Sequence, residues 1–371
     1  MSRGLQVAVA LTLASLGLTL YGARCALAEE LPGSVRWNKG ILQQDQPRIH
    51  RLFAWGDQLI VHADGFYALD IARARLERVT LPGSVSILDL AAIDARRAAI
   101  LSRDASGLYL LQGSLQSAAR IEVSEALRHS QKVLRVFASS ATVGVWGGDT
   151  LFIERGGHNV FRALQLPVSP VSMGGLPLSM SEPLASDPVL VTDSTLFVGY
   201  DRGEWGGALF STNLSTGQVE SLGIKFPVTD LKIDPAGRLW LTGGLAHGCR
   251  RSGYVWRRAD RVWSTILATD NHCRENVSEG LAPWPLPVDP IESIAFDRAG
   301  VPYVLSGRLG VVRYDAGAWT PVAPFWPSQE PVAVRGLQIL SDSTFVIATR
   351  DGGVLLWKPG DPTVRRITVR P

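Results

Sequence analysis

A short motif recurs seven times along the chain and constrains the fold more than any other sequence feature. A turn-forming or polar residue is followed within a few positions by a large apolar residue, as in Asp149-Thr-Leu-Phe152, Asp193-Ser-Thr-Leu-Phe197 and Gly237-Arg-Leu-Trp240. The other copies are Asp57-Gln-Leu-Ile60, Arg97-Ala-Ala-Ile100, Gly300-Val-Pro-Tyr303 and Asp342-Ser-Thr-Phe-Val346. A period of roughly 40 to 50 residues is typical of repeat folds, in which each unit buries its faces only against its neighbours.

Segments with the alternating pattern of β-strands flank each copy of the motif. Leu231-Lys-Ile-Asp234 precedes one copy, Phe66-Tyr-Ala-Leu69 follows another, and Val262-Trp-Ser-Thr-Ile266 closes a third unit. We name the four strands of a unit A to D in chain order, with the motif on strand B. The 37 glycines and 22 prolines suit many turns and short strands. The sequence therefore predicts an all-β, seven-bladed β-propeller of four-stranded antiparallel blades, with a pair of β-sandwiches as the alternative and six or eight blades left open.

The propeller is expected to form a single domain over residues 29–371, with almost no helix. Its blades are expected at 45–83, 84–124, 132–167, 187–223, 227–267, 290–322 and 333–371. An unpaired last blade would expose a sheet edge, so the ends of the chain are expected to pair. Val35–Leu42 is the candidate for the closing strand.

Three units resemble a known group of repeats. Asp234-Pro-Ala-Gly-Arg-Leu-Trp240, Asp297-Arg-Ala-Gly-Val-Pro-Tyr303 and Thr349-Arg-Asp-Gly-Gly-Val354 are similar to the repeats of two-component-regulator propellers and of streptogramin-lyase-like propellers. Gly65-Phe-Tyr-Ala-Leu-Asp70 and the Thr216-Gly217 turn resemble the quinoprotein-type repeat of outer-membrane assembly scaffolds. The resemblance implies the propeller fold. It carries over no catalytic residue, because the histidine, acid and metal pattern of the lyases has no counterpart that can be placed here.

The first 28 residues have the pattern of a signal peptide. Arg3 gives a positive start, Val7–Leu20 is mostly apolar, and Ala26-Leu27-Ala28 offers small residues at the positions that a signal peptidase recognises. Cleavage is therefore expected after Ala28, with export to the periplasm or the exterior. A lipoprotein acylated at Cys25 and an uncleaved membrane anchor are the alternatives.

The charge balance limits the class of partner. The full chain has a formal net charge of +3, and cleavage removes Arg3 and Arg24 but no acidic residue, which leaves the mature chain nearly neutral. Binding to nucleic acid or to a membrane surface needs a marked basic excess, so neither is expected. No later apolar run approaches the ~20 residues needed to cross a bilayer, and no integral membrane segment is expected in the mature chain.

The strand order divides the connections between two faces of the ring. B–C and D–A connections emerge on one face, which we call the B–C face, and the D–A connections include the long runs 166–187, 268–290 and 322–334. Long loops on a rigid scaffold are typical binding sites. The candidate ligand-binding residues are Arg103, Asp104, Glu154, Arg155, Asp201, Arg202, Glu204, Trp205, Arg308, Arg350, Asp351, Trp284 and Trp326.

These residue types indicate an anionic or carbohydrate ligand. Arginine binds carboxylates and phosphates through two parallel hydrogen bonds, and flat aromatic rings pack on sugars or on protein partners. The alternative is that each charged pair satisfies only its own turn.

Two cysteines fall in the loops of the fifth blade. Cys249 and Cys273 are expected on the B–C face, where an oxidising compartment would join them in a disulfide. The alternative is a metal site formed by His247, Cys249, His272 and Cys273.

The sequence thus predicts an exported propeller that binds a small anionic or carbohydrate ligand, or an envelope protein, on its B–C face. No nucleophile elbow, zinc-protease helix, phosphate-binding loop or dinucleotide fingerprint is present, and no cofactor is expected. The alternatives are a lyase or glycosidase, for which Glu154, Asp201 and Glu204 are the candidate acids, and a scaffold subunit of an envelope complex.

Overall fold

Strands dominate the structure, a computed structural model. It describes residues 47–56, 58–81, 85–104, 107–113, 119–121, 134–147, 150–155, 161–165, 170–173, 176–179, 186–192, 194–247, 250–272, 276–279, 289–322, 333–350, 353–361 and 363–368. Within these ranges the one helical element is a 3-10 turn at Gly203–Trp205. The signal peptide and Val35–Leu42 lie outside the described residues.

Blades 1 to 3 are four-stranded antiparallel sheets whose strands follow one another in the chain. Blade 1 contains β1 (Arg51–Trp55), β2 (Gln58–His62), β3 (Phe66–Asp70) and β4 (Arg75–Arg78). Blade 2 contains β5 (Ser86–Ala92), β6 (Ala98–Asp104), β7 (Gly107–Gly113) and β8 (Ala119–Ile121). Blade 3 contains β9 (Leu134–Ala138), β10 (Thr142–Gly147), β11 (Thr150–Arg155) and β12 (Phe161–Gln165).

A separate two-stranded hairpin, β13 (Pro170–Met173) and β14 (Leu176–Ser179), follows blade 3 and precedes blade 4 in the chain. Blade 4 contains β15 (Val189–Val191), β16 (Thr195–Asp201), β17 (Gly207–Asn213) and β18 (Val219–Ser221). Blade 5 contains β19 (Val228–Ile233), β20 (Leu239–His247), β21 (Arg250–Ala259), β22 (Val262–His272) and a fifth strand, β23 (Asn276–Glu279).

The last two blades return to four strands. Blade 6 contains β24 (Ile291–Phe296), β25 (Pro302–Ser306), β26 (Gly310–Asp315) and β27 (Ala318–Pro321). Blade 7 contains β28 (Val334–Ile339), β29 (Phe345–Thr349), β30 (Gly353–Trp357) and β31 (Arg365–Ile367). The prediction of a seven-bladed, all-β propeller of four-stranded blades is confirmed, and blade 5 has one additional strand.

The core lies between blades. The described residues form seven apolar clusters, and each cluster joins two adjacent blades of the ring. Middle strands are therefore covered on both faces, and β29 and β30 are buried at every residue. This double burial explains why strand B and strand C segments are continuously apolar in sequence, whereas a sheet with one wet face would show alternation.

Blade 7 packs directly on blade 1 and closes the ring. Their shared cluster includes Leu52 and Val61 from blade 1 and Val354 and Leu356 from blade 7. The backbone N–H of Ile49 also donates to the carbonyl oxygen of Arg350 across this junction, at 2.7 Å. Closure by packing removes the exposed interface that an open ring of blades would leave.

The assignment of residues 149–152 to strand B of blade 3 is wrong. β10 is the second strand of that blade and β11 is the third, because Trp146 is the register partner of Leu151 in an antiparallel hairpin. In blade 3 the apolar residues of the motif therefore belong to the third strand, whereas in the other blades they belong to the second.

Two connections that the sequence predicted as long loops contain regular strands. The 166–187 run includes the β13–β14 hairpin, and the 268–290 run includes the end of β22 together with β23. Among the described residues, no helix is long and apolar enough to cross a membrane.

Candidate functional site

The seven innermost strands, strand A of each blade, surround the axis of the ring, and four of them contain the same irregularity. The register of strand A with strand B shifts by one residue in blades 2, 5, 6 and 7. The shifts leave one residue per strand without a register partner, and these residues are Leu88, Thr229, Glu292 and Arg335. A bulge of this kind redirects a side chain and is common beside binding sites.

The residue that follows the bulge ties each inner strand to the next blade. Asp89 accepts a hydrogen bond from the backbone N–H of Val136 at 2.7 Å, and Asp230 accepts one from Ile294 at 3.2 Å. In the next blade, the hydroxyl oxygen of Ser293 accepts one from the N–H of Leu337 at 3.1 Å. These equivalent contacts link neighbouring blades around the axis.

A cavity of about 310 Å³ occupies the centre of the ring. All seven blades contribute residues to its lining. Its basic lining residues are His50, Arg51, Arg135, Lys232 and Arg335. The one acidic residue among the described lining positions is Asp230, whose carboxylate already accepts hydrogen bonds from Ser293 and Ile294.

Arg51 and Arg135 are held from outside the cavity by one buried carboxylate. Asp89 accepts from the Nε of Arg135 at 3.1 Å and pairs with the Nη2 of Arg51, and its side chain is 1% exposed. Burial opposes ionisation of Asp89, but the two guanidinium groups hold its pKa below the usual range. Burial and the charge of Arg135 lower the pKa of Arg51 to about 10, so Arg51 stays charged at neutral pH. One carboxylate thus faces two cations.

Arg335 projects from the bulge of β28 and has an incomplete counter-charge. Its Nη1 lies 3.6 Å from the Oε2 of Glu292 on the neighbouring inner strand. Burial, followed by the charges of Asp201 and Asp289, raises the pKa of Glu292 to about 7 against the attraction of Arg335. Near neutral pH a substantial fraction of Glu292 is therefore protonated. Glu292 then compensates the positive charge of Arg335 only in part, and Arg335 can bind a further anionic partner.

The lowered pKa of His50 also indicates a positive electrostatic environment at this end of the ring. Burial, followed by the charges of Arg48 and Arg335, lowers the pKa of the His50 imidazole. The ring is therefore neutral at physiological pH and can donate or accept a hydrogen bond, as a binding residue requires.

The loops around the mouth are fixed by an aspartate before the inner strand of blade 4. Asp187 accepts two hydrogen bonds from the guanidinium of Arg202, at 2.9 and 3.0 Å, and one from the backbone N–H of Asp201 at 3.2 Å. The Oδ1 of Asp201 in turn accepts from the N–H of Gly203 at 2.9 Å. Both members of the predicted Asp201–Arg202 pair are therefore engaged within their own blade.

An equivalent aspartate precedes the inner strand of blade 6. Asp289 accepts from the Nη1 of Arg251 at 2.7 Å and from the backbone N–H of Arg308 at 2.9 Å. Burial raises the pKa of Asp289 in spite of these donors. The aspartate joins blades 5 and 6 at the B–C face and holds the loop that contains Arg308.

Eight of the thirteen candidate residues lie at the B–C face, and three lie outside the described residues. The eight are Arg103, Asp104, Asp201, Arg202, Glu204, Trp205, Arg308 and Arg350. Asp351, Trp284 and Trp326 are the three outside. Glu204 lies beside the Nδ1 of His247 from blade 5, which connects the B–C loops of blades 4 and 5.

Glu154 and Arg155 lie at the other face of the ring, contrary to the sequence interpretation. They end β11, the third strand of blade 3, so they precede a C–D connection. The side chain of Glu154 is buried, and the residue pairs with Val143 and Phe161 in the sheet. The three acids proposed for catalysis are consequently not brought together, because Asp201 and Glu204 lie at the B–C face.

The cysteine pair lies outside the described residues, but its immediate neighbours do not. Arg250 on β21 and His272 on β22 are direct register partners at the B–C end of blade 5. Among the described residues, no group of three or more histidine, cysteine, aspartate or glutamate side chains could hold a metal ion.

Sequence reasoning missed the charged residues of the inner strands around the central cavity. Arg135, Glu292 and Arg335 interrupt the largely apolar strands LRVFA, IESIAF and VRGLQI, and Arg135 and Arg335 line the cavity. A charged residue in a buried strand is unusual and therefore informative. Charged residues in these buried strands are therefore the sequence signal that marks the central cavity.

No protein-family model matches the chain, and no curated protein matches it. Among solved structures, it is similar to the extracellular domain of a protein assigned as a hybrid two-component system from B. thetaiotaomicron. That match has a TM-score of 0.51 and 12% identity, and it covers 85% of this chain and 38% of the other, so the chain spans about two fifths of its length. A second match is YCF48 bound to D1 peptide, with a TM-score of 0.53 and 11% identity over 86% of this chain and 96% of the other.

YCF48 from Cyanidioschyzon merolae matches in the same way, with a TM-score of 0.53 and 11% identity over 85% of this chain and 97% of the other. At these identities the similarity shows the fold alone. It confirms the resemblance to two-component-regulator propellers at the level of the fold.

Proposed function

We propose that the protein is an exported binding propeller that holds a compact anionic ligand in its central cavity, reached from the B–C face. The observation that carries the proposal is the lining of this cavity, with five basic residues and one acidic residue among the described positions. Export rests on the pattern of residues 1–28, and a periplasmic or secreted location follows from it.

The ligand would be bound mainly by Arg335. Arg51 and Arg135 share Asp89, whereas the counter-charge of Arg335 is a glutamate with a pKa of about 7. A carboxylate or phosphate beside Arg335 would replace this partial interaction with charge-assisted hydrogen bonds, and His50 could contribute a further one. The site has room for a small metabolite, because the cavity measures about 310 Å³.

A thermal-shift titration of the mature chain with inorganic phosphate, citrate and acetate tests the proposal. A ligand present at ~100 times its Kd stabilises the folded state by about 2.7 kcal/mol, so at least one anion should raise Tm in proportion to mass action. Phosphate and citrate also stabilise proteins non-specifically, so the difference between variants is the informative quantity.

Arg335→Gln should abolish the specific part of the shift. Arg313→Gln is the matched control, since Arg313 is a partly exposed arginine that pairs with Asp315 on blade 6 outside the cavity. Equal shifts in wild type, Arg335→Gln and Arg313→Gln would contradict the proposal.

Blade 5 favours a second candidate function, the binding of a protein or peptide at the B–C face. Its strands β20, β21 and β22 contain 9, 10 and 11 residues, whereas no described strand of another blade exceeds seven. The enlarged blade and its fifth strand widen this face, as a docking platform for an envelope partner would require. A pull-down from envelope extract with the mature chain, compared with a chain that lacks β23, distinguishes this function from small-ligand binding.

A further inference from the structure

The central cavity is basic near the B–C face and apolar further along the axis of the ring. Each strand A begins at the B–C face and runs toward the opposite face, so the position of a lining residue along its strand gives its depth. Arg51 and Arg335 are the first residue of β1 and the second residue of β28, whereas Ala92 and Val191 are the last residues of β5 and β15. All four residues line the cavity.

The inner strand of blade 4 supplies an unusual part of the apolar wall. β15 has the sequence Val189-Leu190-Val191, and each of these residues is only partly buried although all three are apolar. The other six inner strands each contain at least one buried residue among those described. All three residues of β15 line the cavity. Accessible apolar side chains inside a cavity are typical of the sites that bind the apolar part of a small ligand.

Blades 1 and 2 continue the apolar wall as far as the basic end. Phe53, Ala91 and Ala92 also line the cavity and are partly buried. The guanidinium carbon of Arg51 lies 5.2 Å from the centre of the Phe53 ring, so the basic group and the apolar wall are in contact. One small ligand can therefore reach both.

The positive charge at the far end of the cavity already has a counter-charge. Lys232 is the fifth residue of β19, and its Nζ lies 4.0 Å from the Oδ1 of Asp230. The Oδ2 of Asp230 accepts a hydrogen bond from the hydroxyl of Ser293 at 2.6 Å, which fixes the carboxylate. A second anionic group on a ligand would be repelled by Asp230 at this end. The cavity thus favours one anionic group, located at the B–C end.

We infer that the ligand of the central cavity is a monocarboxylate with an aliphatic chain, whose carboxylate binds Arg335 and whose chain lies against Val189 and Val191. The inference rests on the proposed function and names the chemical class of the ligand. An inorganic anion would leave the apolar wall in water, so it would gain nothing from that surface. A dicarboxylate would place its second charge against apolar side chains and Asp230, where loss of hydration is unfavourable.

Calorimetric titration of the mature chain with acetate, butyrate, hexanoate and adipate tests the inference. Burial of one methylene group raises affinity about fourfold, which corresponds to about 0.8 kcal/mol. Hexanoate should therefore bind at least about tenfold more tightly than acetate, with butyrate between them. Adipate has the same chain length and a second carboxylate, and it should bind at least about tenfold more weakly than hexanoate. Equal affinities for acetate and hexanoate, or tighter binding of adipate, would overturn the inference.

Paired Val189→Thr and Val191→Thr substitutions assign the chain to the wall formed by β15. They replace one methyl group of each valine by a hydroxyl at nearly the same volume, so the ratio of hexanoate to acetate affinity should fall at least about threefold. Val219→Thr is the matched control, because Val219 is a partly buried valine on β18, the outer strand of the same blade. A ratio that stays at the wild-type value in the folded paired variant would overturn the inference. The ligand series on the unsubstituted chain tests it even if that variant does not fold.

Arg335→Gln distinguishes a failure of the inference from a failure of the proposed function. The substitution should weaken acetate and hexanoate by the same factor, because both carboxylates bind the same guanidinium. If hexanoate binds no more tightly than acetate but both depend on Arg335, the inference is wrong and the proposed anion site stands. If neither affinity depends on Arg335, the proposed function is wrong and the inference falls with it.

Discussion

The carboxylate of Asp89 on β5 accepts a hydrogen bond from the Nε of Arg135 on β9, at 3.1 Å, and both side chains are almost fully buried. Asp89 also pairs with Arg51 on β1, so one carboxylate connects the inner strands of three consecutive blades. Arg135 extends the connection to blade 4 by donating from Nη1 to the carbonyl oxygen of Asp187 at 2.8 Å. The polar contacts near the axis therefore fix the relative positions of blades 1 to 4 around the central cavity.

Removal of the charge at Asp89 should destabilise the ring strongly. Asp89→Asn leaves Arg51 and Arg135 buried without their common counter-ion, and breaking a buried ion pair in this way costs about 3–5 kcal/mol. Urea denaturation of the variant should show this loss in the free energy of unfolding. Glu77→Gln is the control, because Glu77 is half exposed and pairs with the half-exposed Arg75 at the rim, so its loss should stay within about 1 kcal/mol. Equal stabilities of the two variants would contradict this prediction.

Stability should fall between about pH 4.5 and 7 because of Glu292. Burial raises the pKa of this carboxyl from 4.5 to about 7. Over that window the folded chain retains a proton that the unfolded chain has released, so unfolding becomes more favourable as pH rises. Glu292→Gln removes the titration, and the variant should lose less Tm than wild type between pH 5 and pH 8.

The reference for this pH effect is Glu77→Gln, because Glu77 lies on β4, the last strand of blade 1, and not on an inner strand. The carboxyl group of Asp89 acts in the opposite direction, because its two arginines lower its pKa against the effect of burial. Burial raises the pKa of Asp289, which therefore acts in the same direction as Glu292. The informative measurement is therefore the difference between the wild-type and Glu292→Gln profiles. Parallel profiles across the window would show that Glu292 does not titrate there.

The sequence predicted the blades well because each strand B motif joins a turn to a strand that two neighbouring blades bury. Asp234-Pro-Ala-Gly-Arg-Leu-Trp240 shows the reason, since the carboxylate of Asp234 accepts from the backbone N–H groups of Ala236 and Arg238 and from the Nε1 of Trp240. The residues of the turn determine its conformation locally, and local chemistry can be inferred from a sequence. The prediction of strand B was wrong in blade 3, because the third strand, β11, has the same composition as the second strands of the other blades.

The binding residues could not be located from local patterns in the same way. Arg51, Arg135 and Arg335 lie in three different blades, and any two of them are at least 84 residues apart in the chain. Only closure of the ring brings them to one cavity. The bulges that release Glu292 and Arg335 from the ladder depend on the pairing of strand A with strand B, which sequence periodicity does not specify. The predicted loop residues Asp201 and Arg202, by contrast, support the mouth through Asp187 and Gly203.

Closure of the ring should depend on the absence of a side chain at Gly336. A Cβ atom at this position would lie 2.8 Å from the Cβ of Leu52, which belongs to blade 1. Gly336→Ala should therefore force blades 7 and 1 apart and reduce the free energy of unfolding by about 1–3 kcal/mol, as overpacking does in other cores. Gly65→Ala is the control, because its Cβ would meet only the movable guanidinium of Arg78, at 3.2 Å. A Gly336→Ala chain as stable as Gly65→Ala would show that the junction is not tightly packed.

Cys249 and Cys273 should form a disulfide in the mature chain. Arg250 and His272 are register partners at the end of the β21–β22 ladder, and in the sequence Cys249 precedes Arg250 and Cys273 follows His272. Opposite residues of antiparallel strands have Cβ atoms about 4.5–5.5 Å apart, close to the span that a disulfide bridges. Cleavage after Ala28 would remove Cys25, so titration of the denatured, unreduced protein with a maleimide should find no free thiol, and two after reduction.

The disulfide should act on blade 5 alone. Closing a loop of about 25 residues contributes roughly 3 kcal/mol in the chain-entropy description, and the other six blades do not contain either cysteine. Paired Cys249→Ser and Cys273→Ser substitutions should therefore increase hydrogen exchange in β20 to β22 while exchange in blades 1 and 7 stays unchanged, because the ends of a blade can open locally. Two reactive thiols in the native, unreduced protein would exclude the disulfide. Thiols that become reactive only after a zinc chelator is added would establish the alternative metal site with His247 and His272.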